Sequence, residues 1–144
     1  MSYHLTIPML AGECWWGGTI KDAERMPFDE HTQYHVDLLR ERRTQSAPLF
    51  LSSKGRYLWT EGAFAIEMDG GVMEIESDDP VQLEAPGSTL REAYLAAMKA
   101  HFPFESGIHT PREFYHHPQF NTWMELIKNQ NEQDILAYAQ EVVE

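Results

Sequence analysis

Between residues 3 and 85 the chain alternates short apolar runs with turn residues. The runs fall at 3–10, 34–39, 48–51, 57–60, 64–68, 72–76 and 81–83, and each is short enough for a strand. Two hairpins are marked by their turns. Ser52-Ser-Lys-Gly55 joins an apolar run to an aromatic one, and Asp69-Gly-Gly71 separates Phe64-Ala-Ile-Glu-Met68 from Val72-Met-Glu-Ile-Glu76. Glycine in those turns supplies the positive φ that tight hairpins require. The strict alternation beside Asp69 predicts one buried and one wet face, the signature of an antiparallel sheet. Seven such runs predict a β-sandwich over residues 1–86.

The period changes after Pro86-Gly87. Thr89 and Glu92 form a capping-box pair, and Leu90, Tyr94, Ala97, Met98 and His101 recur at helical spacing. Pro103 ends that helix, and 101–111 reads as an extended linker, so residues 87–117 are a helix and linker. Phe120–Leu126 reads as a buried strand. Asn129 and Glu132 then resemble the N-cap and N3 residues of a last helix, with Ile135, Leu136, Ala139, Val142 and Val143 on its apolar face. A strand followed by a helix is the opening step of a parallel α/β structure. The predicted fold is therefore mainly β with α. An N-terminal sandwich is followed by a helical linker, and 118–144 is the first β-α unit of a truncated parallel α/β structure.

Charge and composition narrow the partners. Acidic residues outnumber basic ones 23 to 11, for a formal charge of −12. That field repels phosphate backbones and anionic lipid, which argues against nucleic acid and membrane surfaces. A neutral sugar fits well. Cys14 is the single cysteine, so no internal disulfide can form. No run approaches the length of a membrane span, no leader pattern opens the chain, and a cytoplasmic location is expected.

Three segments carry candidate chemistry. Trp15-Trp16-Gly17-Gly18 sets two indoles beside two glycines. It is either a loop presenting aromatic faces to a sugar or a core tryptophan in a strand that bends at a Gly-Gly bulge. The residues by themselves favour the bulge. Arg56-Tyr57-Leu58-Trp59 puts Tyr57 and Trp59 on one strand face, either as cross-strand packing or with Arg56 near a ligand or in a supporting ion pair. In the strand predicted at 120–126, Asn121, Trp123 and Glu125 alternate to one side and would point toward a catalytic rim. A structural pairing of Glu125 is the competing account. The seven histidines form no metal pattern, and surface positions suit them better. No metal or organic cofactor is expected.

The succession Glu13-Cys-Trp-Trp-Gly-Gly18, Met26-Pro-Phe28, Pro48-Leu-Phe-Leu-Ser-Ser-Lys-Gly-Arg-Tyr-Leu-Trp-Thr-Glu61, Thr89-Leu-Arg-Glu-Ala-Tyr94 and Pro118-Gln-Phe-Asn-Thr-Trp-Met-Glu-Leu126 resembles glycoside hydrolase family 31. That family contains α-glucosidases and α-xylosidases. The resemblance covers most of the chain in order, and its last block, continued through 129–139, is the most specific. It implies a sandwich leading into a (β/α)8 barrel that hydrolyses α-glycosides with retention through two aspartates. Retention requires two carboxyl groups about 5–5.5 Å apart. The family's two aspartates belong to later barrel strands, and neither Asp134 nor Asp78-Asp79 matches their motifs. The resemblance makes Glu13–Gly18 the loop that reaches the sugar and Asn121–Glu125 the first barrel strand. Trp16, Trp123, Glu125, Asn121 and Trp15 are thereby the candidate substrate-binding residues, with no catalytic residue in the segment. The expected partners are a carbohydrate and either the rest of the barrel or a second copy pairing through the exposed strand. A carbohydrate-binding or non-catalytic sandwich standing alone is the alternative.

Overall fold

The computed structural model describes residues 2–40, 45–104 and 110–143. The chain divides into two compact units, Met1–Phe104 and Glu105–Glu144. Each is described by itself.

Among its described residues the first unit holds eight strands: β1 (Tyr3–Pro8), β2 (Trp15–Thr19), β3 (Tyr34–Asp37), β4 (Ser46–Ser52), β5 (Tyr57–Trp59), β6 (Phe64–Asp69), β7 (Val72–Ser77) and β8 (Gln82–Glu84). They form two antiparallel four-stranded sheets, ordered β1-β7-β6-β3 and β2-β4-β5-β8. The sheets enclose one core. Ile7, Val36, Phe64, Ile66, Met68, Met73 and Ile75 come from the first sheet, and Trp15, Phe50 and Leu58 from the second. Phe50 and Phe64 meet edge to face across the layers, ring centroids 5.6 Å apart. The expected β-rich sandwich is present.

Turn chemistry sets the register as expected. Asp69 pairs with Val72, leaving Gly70 (φ +56) and Gly71 (φ +77) as a two-residue loop whose positive φ values match strand twist. From that turn, Phe64, Ile66 and Met68 face inward while Glu67 faces solvent. Gly55 closes the β4–β5 turn at φ +79. A Cβ there would collide with the backbone of Gly87 and Ser88, so this turn seats directly on the entry to the next helix.

That helix, α1 (Leu90–His101), carries the expected capping box. Thr89 accepts from the Glu92 N–H, and the Glu92 carboxylate accepts from the Thr89 N–H. It lies on the outer face of the second sheet, where Ala93 and Ala97 pack against Tyr57 and Trp59 with Leu49 and Leu51. The buried face is thus the alanine stripe, whereas Leu90 and Tyr94, expected inward, are exposed. Small side chains let the helix approach the two aromatic rings closely. His101 takes the packed face that its helical spacing gives it rather than the surface position suggested for the histidines: its ring stacks on Trp59 at 4.3 Å, and its buried Nε2 has no hydrogen-bond partner. A 3₁₀ helix at Ile20–Arg25, which the apolar pattern does not announce, follows β2.

The second unit contains α2 (Glu113–His116), α3 (Trp123–Leu126) and α4 (Glu132–Val143). Part of the expected linker, 105–109, lies outside the described residues. The strand expected at 120–126 is a correction: Trp123–Leu126 is one helical turn, entered through Thr122 in the helical region. A parallel strand needs a neighbour, and the described residues of this unit form none, so the backbone satisfies itself locally instead. Leu126 N–H donates to Thr122 C=O at 2.8 Å. Ile127 closes the turn at φ +48, which a β-branched residue adopts only under strain. The last helix is present, but its cap is Asn131 rather than Asn129. The Asn131 Oδ1 accepts from the Asp134 N–H at 3.0 Å.

Candidate functional site

The Trp15–Gly18 segment resolves into two tryptophans with opposite fates. Successive strand residues face opposite sides. Trp15 therefore enters the core, fully buried, and Trp16 turns to the outer face of the second sheet. Trp15 is thus corrected from a candidate ligand contact to a core anchor. Pairing with β4 then skips from Gly17–Phe50 to Gly18–Ala47. Pro48, which has no N–H to offer a neighbouring strand, falls in the skipped stretch. At Gly17 a Cβ would strike the Leu49 carbonyl and the Phe50 Cα, and at Gly18 it would lie 3.0 Å from the Phe50 ring. The glycines are there because the bulge brings two backbones together, and φ values of +152 and +89 suit nothing else.

Trp16 borders an open apolar trough of about 450 Å³. Its floor is Ala47, Leu49 and Leu51 of β4, and Ile20 and Ala23 of the 3₁₀ helix, with Met26 just after it, form the other wall. Ile20 is 62% exposed there. None of the lining residues is a carboxylate, and Thr19 is already committed to Asp22 at 2.6 Å. Such a surface can stack on an apolar ring face. Among its described lining residues there is no pair of carboxylates to serve as nucleophile and acid/base.

The loop before β2 is tied down by a buried ion pair. The Glu13 carboxylate is fully buried and accepts from Arg56 Nε at 2.9 Å, from Arg56 Nη2, from the Ser52 hydroxyl and from the Leu10 N–H at 2.9 Å. Burial by itself pushes this carboxyl up. The Arg56 hydrogen bonds, the Leu10 and Ser52 donors and the Arg56 charge outweigh burial and hold it below the ordinary range. Arg56 also lies over the Trp15 ring, 5.2 Å from its centroid, and donates to the Pro8 carbonyl at 3.1 Å. Of the options for Arg56, the supporting ion pair is the one realised. Its acidic partner carries no sequence signal, since a glutamate in a polar loop reads as solvated.

Asn121, Trp123 and Glu125 belong to the second unit, and their expected alternation to one side is not realised, because a helical turn has period 3.6 rather than 2. Asn121 Oδ1 accepts the Trp123 N–H at 3.1 Å, a local turn bond. Trp123 is 56% exposed and Glu125 is exposed. A second concavity, of about 300 Å³, lies on the outer face of the first sheet and carries Glu67, Glu74, Glu76 and Asp37 with His4 and His35. Among its described lining residues there is no Phe, Tyr or Trp, and His35 Nδ1 already meets Glu67 at 2.5 Å. Among the described residues no group of three or more His, Cys, Asp or Glu could hold a metal ion. No described helix is long and apolar enough to cross a membrane. No protein-family model matches the chain, and neither does any curated protein.

Proposed function

We propose that this chain is the N-terminal part of a family-31-like retaining α-glycoside hydrolase acting on α-linked sugars. The observation that carries the reading is Trp16, which stands outward beside an apolar trough on a strand bent by Gly17-Gly18, within the Glu13–Gly18 block that resembles the family's sugar-reaching loop. An indole face with an open apolar floor suits the C–H face of a pyranose. On this reading 118–144 becomes the first strand and helix of a barrel once its neighbours pair with it, and Trp123, Asn121 and Glu125 acquire a rim there. The two catalytic aspartates belong to later strands, one attacking the anomeric carbon and one protonating the leaving oxygen. The proposed setting is cytoplasmic carbohydrate metabolism, without metal or organic cofactor.

A second reading has support of its own: the sandwich closes its core within the first unit. A carbohydrate-binding module needs nothing more.

Two measurements test these readings. Purified chain incubated with aryl α-glucoside and α-xyloside is expected to show no turnover, and turnover abolished by a substitution within 1–144 would overturn the assignment of catalysis elsewhere. Titration with maltose is expected to perturb Trp16. An open reading frame that continues past Glu144 into strands bearing two aspartates supports the hydrolase, and a stop codon there supports the binding module.

A further inference from the structure

We propose that Glu13 is the positioning residue for Trp16: its carboxylate locks the 10–14 turn to the β4–β5 turn and so fixes the angle at which the indole is presented. This rests on the sugar-facing reading of Trp16. A fully buried glutamate three residues from an outward tryptophan requires an explanation. Replacing a buried ion pair with well-packed apolar groups is often neutral or stabilising, so stability alone does not account for one. The geometry supplies the explanation. Glu13 N–H donates to Leu10 C=O and its carboxylate accepts the Leu10 N–H, each at 2.9 Å, so the residue closes its own turn. The remaining donors, Arg56 and Ser52, both belong to the β4–β5 hairpin.

The next residue repeats the connection. Cys14 N–H donates to Ser53 Oγ at 2.9 Å, and Ser53 N–H donates back to Cys14 C=O at 2.8 Å. Thus four points of attachment, Leu10, Ser52, Ser53 and Arg56, converge just before the strand begins, and the pairing they enforce puts Trp16 opposite Leu51 in the trough floor. Downstream the backbone is a bulge of two glycines, whose missing side chains give Trp16 nothing to pack against on that side. Orientation of the indole is therefore imposed either from the Glu13 side or from Trp15, through its burial and its two backbone bonds to Phe28 at 2.8 and 2.9 Å, and the two accounts make different predictions.

Fluorine NMR on the fluorotryptophan-labelled chain of residues 1–144 separates them, with the Trp16 signal assigned by Trp16→Phe. The unsubstituted chain is expected to give one narrow Trp16 signal. In Glu13→Gln that signal is expected to shift or broaden while the Trp59 and Trp123 signals stay in place, and maltose affinity is expected to fall about tenfold. An unchanged Trp16 signal in folded Glu13→Gln would overturn the proposal and leave Trp15 as the sufficient anchor. Where Glu13→Gln loses the folded Trp59 signal, Ser52→Ala, which removes one donor and leaves the ion pair, decides by the same criterion. A purely structural role would move all the signals of the first unit together. If maltose shifts no signal in the unsubstituted chain, the sugar reading fails, and the spectra still decide the positioning role.

Discussion

Residues 2–104 and residues 110–143 both carry large apolar side chains at regular spacing, yet they use them differently. In the first region Ile7, Phe50, Ile66 and their neighbours close on one another from two sheets. In the second, none of residues 110–143 is buried: Leu136 remains 62% exposed and Met124 82%. Periodicity states which face of an element needs cover. It does not supply the cover. Each sheet of the sandwich is the other's complement, and the second sheet's outer aromatic pair has α1. The helices α2 and α3 are single turns, far below the length at which a helix is stable by itself.

The contrast can be broken most sharply by core truncation. Phe50→Ala is expected to cost about 3–5 kcal/mol of sandwich stability in urea titration. Leu136→Ala should cost no more than about 0.5 kcal/mol. Equal losses would show that the second region has a core as demanding as the first. Next in size is Gly17→Ala, which forces a Cβ onto Leu49 and Phe50 and should cost about 2 kcal/mol in the same titration. A neutral result would mean the bulge can relax, and the glycines would then need another explanation.

Hydrogen exchange sharpens the comparison without substitution. Amides of β4 to β7 are expected to exchange slowly, at rates set by global unfolding, and those of 113–126 to exchange fast. Slow exchange across 120–126 would sink the contrast. Acid titration isolates one contribution. Glu13 is held below its ordinary value in the folded state, so its stabilisation is fully present above the unfolded carboxyl value. It is lost as pH falls through the lowered folded value. Stability of the sandwich should therefore decline on acidification below about pH 4.3, and Glu13→Gln should remove that part of the decline. An identical acid profile in the variant would assign it to other carboxyls. The smallest effects compare two caps. Thr89→Ala should lower sandwich stability by about 1 kcal/mol, whereas Asn131→Ala, removing an equivalent cap, should leave it unchanged.

Much of the first region was legible because its signals are local. The Asp69-Gly-Gly71 turn, the alternation flanking it, the Thr89–Glu92 box and the stop before Pro103 each depend on a few neighbouring residues, and each is present. The site was legible only in part. That Trp15 and Trp16 divide between core and surface follows from strand geometry once β2 exists. Which of the two is inside depends on where the sheets stack.

The amino-acid sequence by itself determined the sandwich strands other than β2, their hairpins, α1 with its cap, the presence of α4 and the acidic character, because propensity, turn stereochemistry and charge act within a few residues. Tertiary structure decided the rest. It chose the alanine stripe of α1 over Leu90 and Tyr94, since the close approach of Tyr57 and Trp59 favours small side chains. It made Glu13 a buried lock, since only folding brings Arg56 and Ser52 to it from some forty residues away. It also left 123–126 as a helical turn, since among the described residues no second strand lies beside it to take up ladder bonds.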